Sequence, residues 1–222
     1  MTKSVESVET AGRVMSGDLS LGQERVWFLH ELHQSKPVFT VAELVVITGE
    51  LQLERLRDAF VDIADRHESL RCVFATADGH TKPRVVVLPT IEVAFDVSVD
   101  PGPPTGEQRR QAIQRWADVR TRQPSDVRRG PLWRVDILSF GPSEHALLLC
   151  AHQLIADRCS LQIMLGDLAR TYSALVEGHH TELPPAPSYL AFAESQRRGL
   201  ADPSFAATLD ALLTRLAARP CS

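Results

Sequence analysis

The 222 residues are 44% hydrophobic and 23% charged, with a formal net charge of -4. That balance suits one globular domain with a sizeable core and excludes a field strong enough to draw the whole molecule onto nucleic acid or an anionic membrane. No apolar run approaches the roughly 18 residues needed to span a bilayer, and the polar start from Met1 to Asp18 lacks the apolar centre of a signal peptide, so a cytoplasmic protein with a disordered tail over 1–18 is expected.

From Leu19 the chain reads as a short helix capped by Ser20 and anchored by Trp27 and Leu29. A strand follows from Val38 to Thr48, closed by a turn at Gly49. Leu53, Leu56, Phe60, Ile63 and His67 then recur on one face of a helix whose other face carries Glu54, Arg57, Asp58, Asp62 and Asp65. Leu70 to Ala75 is strand-like, and Asp78-Gly79 signals a hairpin into Arg84 to Leu88. Ile91 to Val97 adds a further short strand, and Pro101-Gly102-Pro103-Pro104 breaks the chain.

A polar helix from Glu107 to Arg122 has Ile113, Trp116 and Ala117 as its inner face. After Gly130-Pro131 come two strands, Leu132 to Phe140 and Glu144 to Ala151, joined by Gly141-Pro142. The second ends at His152 and Gln153, four residues before Asp157 and Arg158. Beyond Ser160, Leu161, Met164, Leu165, Leu168, Tyr172 and Leu175 mark a buried helix that stops at Gly178, with His179 and His180 in a solvated terminal turn. Leu183 to Pro187 is an extended linker, and two helices, Ser188 to Arg198 and Ser204 to Ala218, follow it.

Strand pairs interleaved with helices argue for an α/β sandwich with a mixed or antiparallel sheet. No glycine-rich loop follows a strand, which speaks against a nucleotide-binding fold. The cysteines at 72, 150, 159 and 221 lack metal-ligand spacing, and Cys72 and Cys150 lie in apolar runs that suit buried thiols. His30-Glu31-Leu32-His33 lacks the two-residue spacer of a helical zinc motif and reads as a surface helix end, so no metal is expected.

The strand-loop-helix around His152 delivers polar groups to the edge of a rigid core. Neighbouring strand residues face opposite ways, so only one of His152 and Gln153 points into a given cavity.

Three separated segments resemble the condensation domains of nonribosomal peptide synthetases, whose lobes have the chloramphenicol acetyltransferase fold. The pattern Ser-x-Ala-Gln-x-Arg-Leu-Trp-x-Leu is met at Ser20, Gln23, Arg25, Trp27 and Leu29, with Gly22 and Val26 in the remaining places. Arg-His-Glu-x-Leu-Arg-Thr-x-Phe is met at Arg66, His67, Glu68, Leu70, Arg71 and Phe74, with Cys72 for Thr. Gly130 to Arg134 is a weaker match. The third pattern, His-His-x-x-x-Asp-Gly, falls on His152, Gln153, Asp157 and Arg158, with Ser160 matching a Ser that often follows. The second His, to which the family's catalytic role is assigned, is Gln153 here, and the Gly is Arg158.

Imidazole accepts a proton from an amine near neutral pH, a contribution of about 10²- to 10⁴-fold; a carboxamide does not. Gln153 retains the ability to donate to an oxyanion or to orient an amine. Arg158 has two readings, obstruction of the channel or binding of a phosphopantetheine phosphate. The resemblance makes Asp157 structural, paired with Arg66 or Arg71, and His152 a positioning residue.

The resemblance implies a single lobe over 19–182, followed over 183–222 by the linker and helices that lead towards a second lobe expected to be absent. Another copy or another protein then completes the groove, or the groove only binds a carrier domain. The expected function is a condensation-domain-like, non-catalytic module that recruits a carrier protein or a synthetase module. The alternative is an amide-forming acyl or aminoacyl transferase acting on a phosphopantetheine thioester carried by a partner. No bound cofactor, nucleic acid or membrane is expected.

Overall fold

The computed structural model describes residues 15–33, 39–76, 82–100 and 106–217. The Asp78-Gly79 turn, the loop at Pro101 to Pro104 and Cys221 lie outside the described residues.

The architecture grows from one strand. β7 (Glu144–His152) is buried along nearly its whole length, which is why its sequence is a continuous apolar run rather than an alternation. β2 (Thr40–Thr48) and β6 (Trp133–Ser139) pair antiparallel on either side of it, and β5 (Ala94–Val99) joins β6 in parallel, giving the order β2-β7-β6-β5. A second sheet, β1-β4-β3, consists of Met15–Asp18, Arg84–Val87 and Cys72–Ala75, all antiparallel. This is the mixed α/β sandwich the strand and helix pattern predicts.

Helices cover both faces of the larger sheet. α2 (Leu53–Arg66) and α4 (Arg158–Val176) bury Leu56, Phe60, Ile63, Leu161, Met164 and Leu168 in one core with Val135, Ile137, Leu147 and Leu149. On the opposite face, α3 (Gly106–Thr121) packs Ile113 and Ala117 over Leu138, Ala146, Leu148 and Cys150. β2, β6 and β7 therefore divide their alternate residues between two cores. α4 ends as its glycine predicts: Gly178 has φ +84°, its N–H donates to Leu175 O, and His179 N donates to Ala174 O.

Three expectations are corrected here. Residues 15–18, assigned to the disordered tail, form β1 instead. Their own composition carries no strand signal, and they are held by pairing with the valine-rich β4 and by α5 (Tyr189–Ala201), against which Gly17 lies so closely that a Cβ would meet Leu190 Cδ2 at 3.0 Å. Leu29 does not anchor α1 (Leu21–Leu32): it is 36% exposed, whereas Gln23 and Trp27, one turn apart, are buried. Leu70 belongs to a short 3-10 turn, Glu68–Arg71, rather than to β3. The stretch after the proline linker is fastened to the lobe: Tyr189 Oη meets Ser20 Oγ at 2.9 Å, Leu21 N donates to Gln196 Oε1 at 2.9 Å, and Arg197 Nε donates to Leu19 O at 2.8 Å. Beyond it, α6 (Pro203–Ala217) leaves Phe205, Leu209, Leu212 and Leu213 about half exposed.

Candidate functional site at the end of the central strand

The site begins where β7 runs out. Its last residue, His152, is 5% exposed, whereas Gln153, Asp157 and Arg158 are exposed and Ser160 is half-buried. Alternation along the strand gives this result: one neighbour is covered, so the next emerges.

The loop from Gln153 to Asp157 is rigid because every one of its backbone N–H groups is taken. Gln153 N donates to Phe39 O at 2.8 Å, which extends the β2–β7 ladder by one residue. Leu154 N donates to His152 Nδ1 at 3.1 Å. Ile155 N and Ala156 N both reach His152 O, at 3.0 and 3.2 Å. Asp157 N donates to Ser160 Oγ at 3.2 Å. The chain is thus wrapped around His152, and a loop with no unpaired donors has little to gain from rearranging.

The motif residues at 20–29 brace the same loop. Ser20 caps α1 in a reciprocal box with Gln23, whose Oε1 accepts from Ser20 N at 3.0 Å. The other end of that carboxamide donates to Leu154 O at 3.0 Å. Trp27 is buried 6.3 Å from Phe74 and 6.4 Å from His30, and His30 stands edge-on to His152 with ring centroids 5.1 Å apart. His30 Nδ1 lies 3.3 Å from His152 Nε2. The surface-end reading of 30–33 therefore holds for His33, which is exposed, but not for His30, which turns inward. Nothing in local spacing marks His30; only the fold brings it to His152, 122 positions along the chain.

Burial, and next the adjacent His30, pushes His152 down to about 4, so it is neutral near pH 7. Its Nδ1 is already an acceptor and its Nε2 a donor. His152 thus has no lone pair free for a substrate, and the site's exposed polar groups are those of Gln153, Arg158 and the first turn of α4.

Asp157 is the N-cap of α4 and accepts from Ser160 N and Ser160 Oγ, each at 2.7 Å. Those bonds, the side-chain one first, hold its carboxyl below the ordinary value. Its expected pairing with Arg66 or Arg71 is not formed. Arg66 Nε donates instead to Asp167 at 3.1 Å, where His67 Nε2 also meets the same oxygen at 2.9 Å. Arg71 donates to the carbonyls of Ala64, Asp65 and Leu88. Burial would raise the Asp167 carboxyl, but the His67 and Arg66 hydrogen bonds outweigh it and leave it lowered. Glu68 completes the clamp by accepting from Ser188 Oγ at 2.7 Å and Leu190 N at 2.9 Å. The motif at 66–71 therefore ties α2 to α4 and α5.

Arg158 occupies the first turn of α4, where a cation opposes the helix dipole, at a cost of about 0.3–1 kcal/mol. Against the inner side of the loop, a cavity of about 170 Å³ is lined by Ile155, Ala156, Ser160, Met164, Leu70 and His67. The hollow at His179 and His180 lies at the other end of α4, 19 residues or about 28 Å away, and shares no residue with the loop. Cys72 and Cys150 are pushed up by burial to about 12 and about 11. Neither serves as a thiolate near neutral pH. No His, Cys, Asp and Glu cluster with the makings of a metal site occurs among the described residues, and no described helix is long and apolar enough to cross a membrane.

The sequence model described as "Condensation domain" matches residues 17–209. The nonribosomal peptide synthetase acrB of Aspergillus aculeatus is 34% identical over 203 residues, covering 90% of this chain and 12% of that protein. A linear gramicidin synthase of Brevibacillus parabrevis is 32% identical over 180 residues, 81% of this chain and 2% of that protein. The fold superimposes on the crystal structure of the starter condensation domain of rhizomide synthetase RzmA with a TM-score of 0.78 at 22% identity, covering 93% of this chain and 49% of the other. The first condensation domain of the calcium-dependent antibiotic synthetase gives 0.75 at 20% identity, over 85% and 44%. This chain thus spans about half the length of those solved domains and a small part of the curated relatives. With the family match running over residues 17–209 and a relative 34% identical over 90% of the chain, the chain belongs to the condensation-domain family of nonribosomal peptide synthesis.

Proposed function

We propose that this lobe recognises a carrier protein bearing a phosphopantetheine thioester and holds it without providing an acid-base catalyst. The observation that carries this reading is Gln153: the family's His-His-x-x-x-Asp-Gly pattern places its reactive imidazole there, and the exposed side chain at that point is a carboxamide. The neighbouring imidazole, His152, is covered and fully hydrogen-bonded. An amide neither accepts a proton from an amine at neutral pH nor returns it, so the usual acid-base contribution, about 10²- to 10⁴-fold, is lost. Gln153 Nε2 remains a donor for a thioester carbonyl.

Arg158 and the capped first turn of α4 supply the complementary charge. A guanidinium beside helix N–H groups suits a phosphodiester, and its unfavourable position against the dipole is offset when an anion docks. A second lobe of the family kind, in a longer polypeptide or in another subunit, would close the groove from the opposite side. The half-exposed apolar residues of α6 supply surface for such a contact.

The test uses an acyl-loaded carrier protein and an amine acceptor. Binding is read by fluorescence anisotropy and amide formation by mass spectrometry. Expected are saturable binding, weakening in Arg158→Glu, and no amide above the buffer rate. Turnover by the native chain that disappears in Gln153→Ala would overturn the non-catalytic reading in favour of an acyl or aminoacyl transferase, and absence of carrier binding would overturn the module itself.

A further inference from the structure

Two hydrogen bonds fix where the protons of the histidine pair lie. Leu154 N donates to His152 Nδ1 at 3.1 Å, so that nitrogen carries the lone pair. A neutral imidazole has one N–H, which therefore sits on Nε2. His152 Nε2 faces His30 Nδ1 at 3.3 Å, with the rings inclined at 75°. With His152 as donor, His30 Nδ1 is the acceptor and the proton of His30 is on its own Nε2.

We propose that His30 is a positioning residue of this site: by accepting the His152 Nε2–H it holds His152 in one tautomer and one rotamer, and through His152 the loop that presents Gln153. The functional consequence rests on the reading given above, while the wiring stands on geometry alone. His152 anchors three consecutive loop amides, one through its ring and two through its carbonyl. Its ring is held laterally by Phe39 at 5.9 Å and by His30, and among the described residues it is His30 that accepts its N–H. Removing that acceptor leaves a buried donor unsatisfied, and the resulting penalty falls on the loop.

The pair is also intolerant of an added proton. Protonating His30 at Nδ1 sets its N–H against the His152 Nε2–H across 3.3 Å, and protonating His152 at Nδ1 sets its N–H against that of Leu154 across 3.1 Å. The charged groups acting on His30 are Glu31 and Asp126, which favour a proton, and Arg128, which opposes it; on His152 the titratable neighbour is His30 itself. Phe39 and Trp27 add apolar walls.

The experiment uses the full chain with ¹⁵N-labelled histidine. Long-range ¹H–¹⁵N spectra at about pH 7.5 are expected to report both rings as the neutral Nε2–H form. Amide hydrogen exchange is expected to show residues 154–156 exchanging about 10- to 100-fold faster in His30→Phe, which keeps a ring and removes the acceptor, with β6 and β7 unchanged. In His30→Asn the side-chain oxygen takes the place of Nδ1, and protection returns to within about threefold of the native chain. A proton on Nδ1 of either ring, a loop unaffected by His30→Phe, or an Asn variant no better than Phe overturns the proposal. The native spectrum decides even where the Phe variant fails to fold. Loss of carrier binding with this wiring intact would count against the functional reading alone.

Discussion

Acidification from about pH 7 to pH 4 is expected to weaken this fold through one identifiable group. His152 is 5% exposed and titrates at about 4, against an ordinary value of 6.5. Between those two values the unfolded chain binds a proton that the folded chain refuses, so stability rises with pH across the window. The stabilisation is complete above about 6.5 and is lost as pH falls towards 4. The separation of about 2.5 pKa units corresponds to about 3 kcal/mol. His30, also lowered by burial, adds to the loss with the same sign. The assay is urea denaturation at half-unit steps from about pH 8 to about pH 4, for the native chain and for His152→Asn. That variant keeps an oxygen near the position of Nδ1 for Leu154 N and does not titrate. The difference between the two curves cancels the carboxylates elsewhere, including Asp62 and Asp136, which burial raises. Native and variant stabilities that run parallel across the window would refute the claim that His152 is buried neutral.

Three further outcomes test the frame around the loop. Asp167→Asn removes the carboxylate shared by Arg66 and His67 and should cost about 3 kcal/mol in chemical denaturation, the low end for a buried pair because Arg66 keeps 19% of its side chain exposed; a loss below about 1 kcal/mol would make the cluster a surface decoration. Gln23→Leu strands both Ser20 N and Leu154 O, so a loss of about 1–3 kcal/mol is expected, with faster exchange at residues 20 and 154–156 and none at α3. Gly17→Val drives a side chain into Leu190 and should lower stability by about 1–3 kcal/mol, with partial recovery in the Gly17→Val, Leu190→Ala double variant. Additive losses would place the clash elsewhere.

Much of the frame was legible before any coordinates. The spacing of Leu56, Phe60 and Ile63, the apolar run of β7 and the alternation of β6 report local periodicity, and periodicity is set by backbone geometry that neighbours along the chain already determine. Ser20 capping α1 and Gly178 ending α4 are likewise local events. Two of the misreadings are long-range. β1 has no strand signal of its own because its stability comes from β4 and α5. Asp167 sits among apolar helix positions, and its partners are 100 and 101 residues away, whereas the resemblance assigns the arginine to Asp157, a residue of the motif itself that is already committed to Ser160.

What the sequence determined by itself is chemical: a carboxamide rather than an imidazole at position 153, an arginine at 158, and the element pattern of a condensation-domain lobe. Residue identity fixes which protons a side chain is able to move, and no packing turns an amide into a base at neutral pH. What only the tertiary structure decided is which polar groups are spent. That His152 is locked by Leu154 and His30, that Gln23 is consumed in bracing Leu154, and that Asp167 rather than Asp157 takes the arginine are all consequences of how the layers assemble. Such contacts persist only once burial has made an unpaired polar group costly, and burial is a property of the assembled layers, not of any stretch of residues.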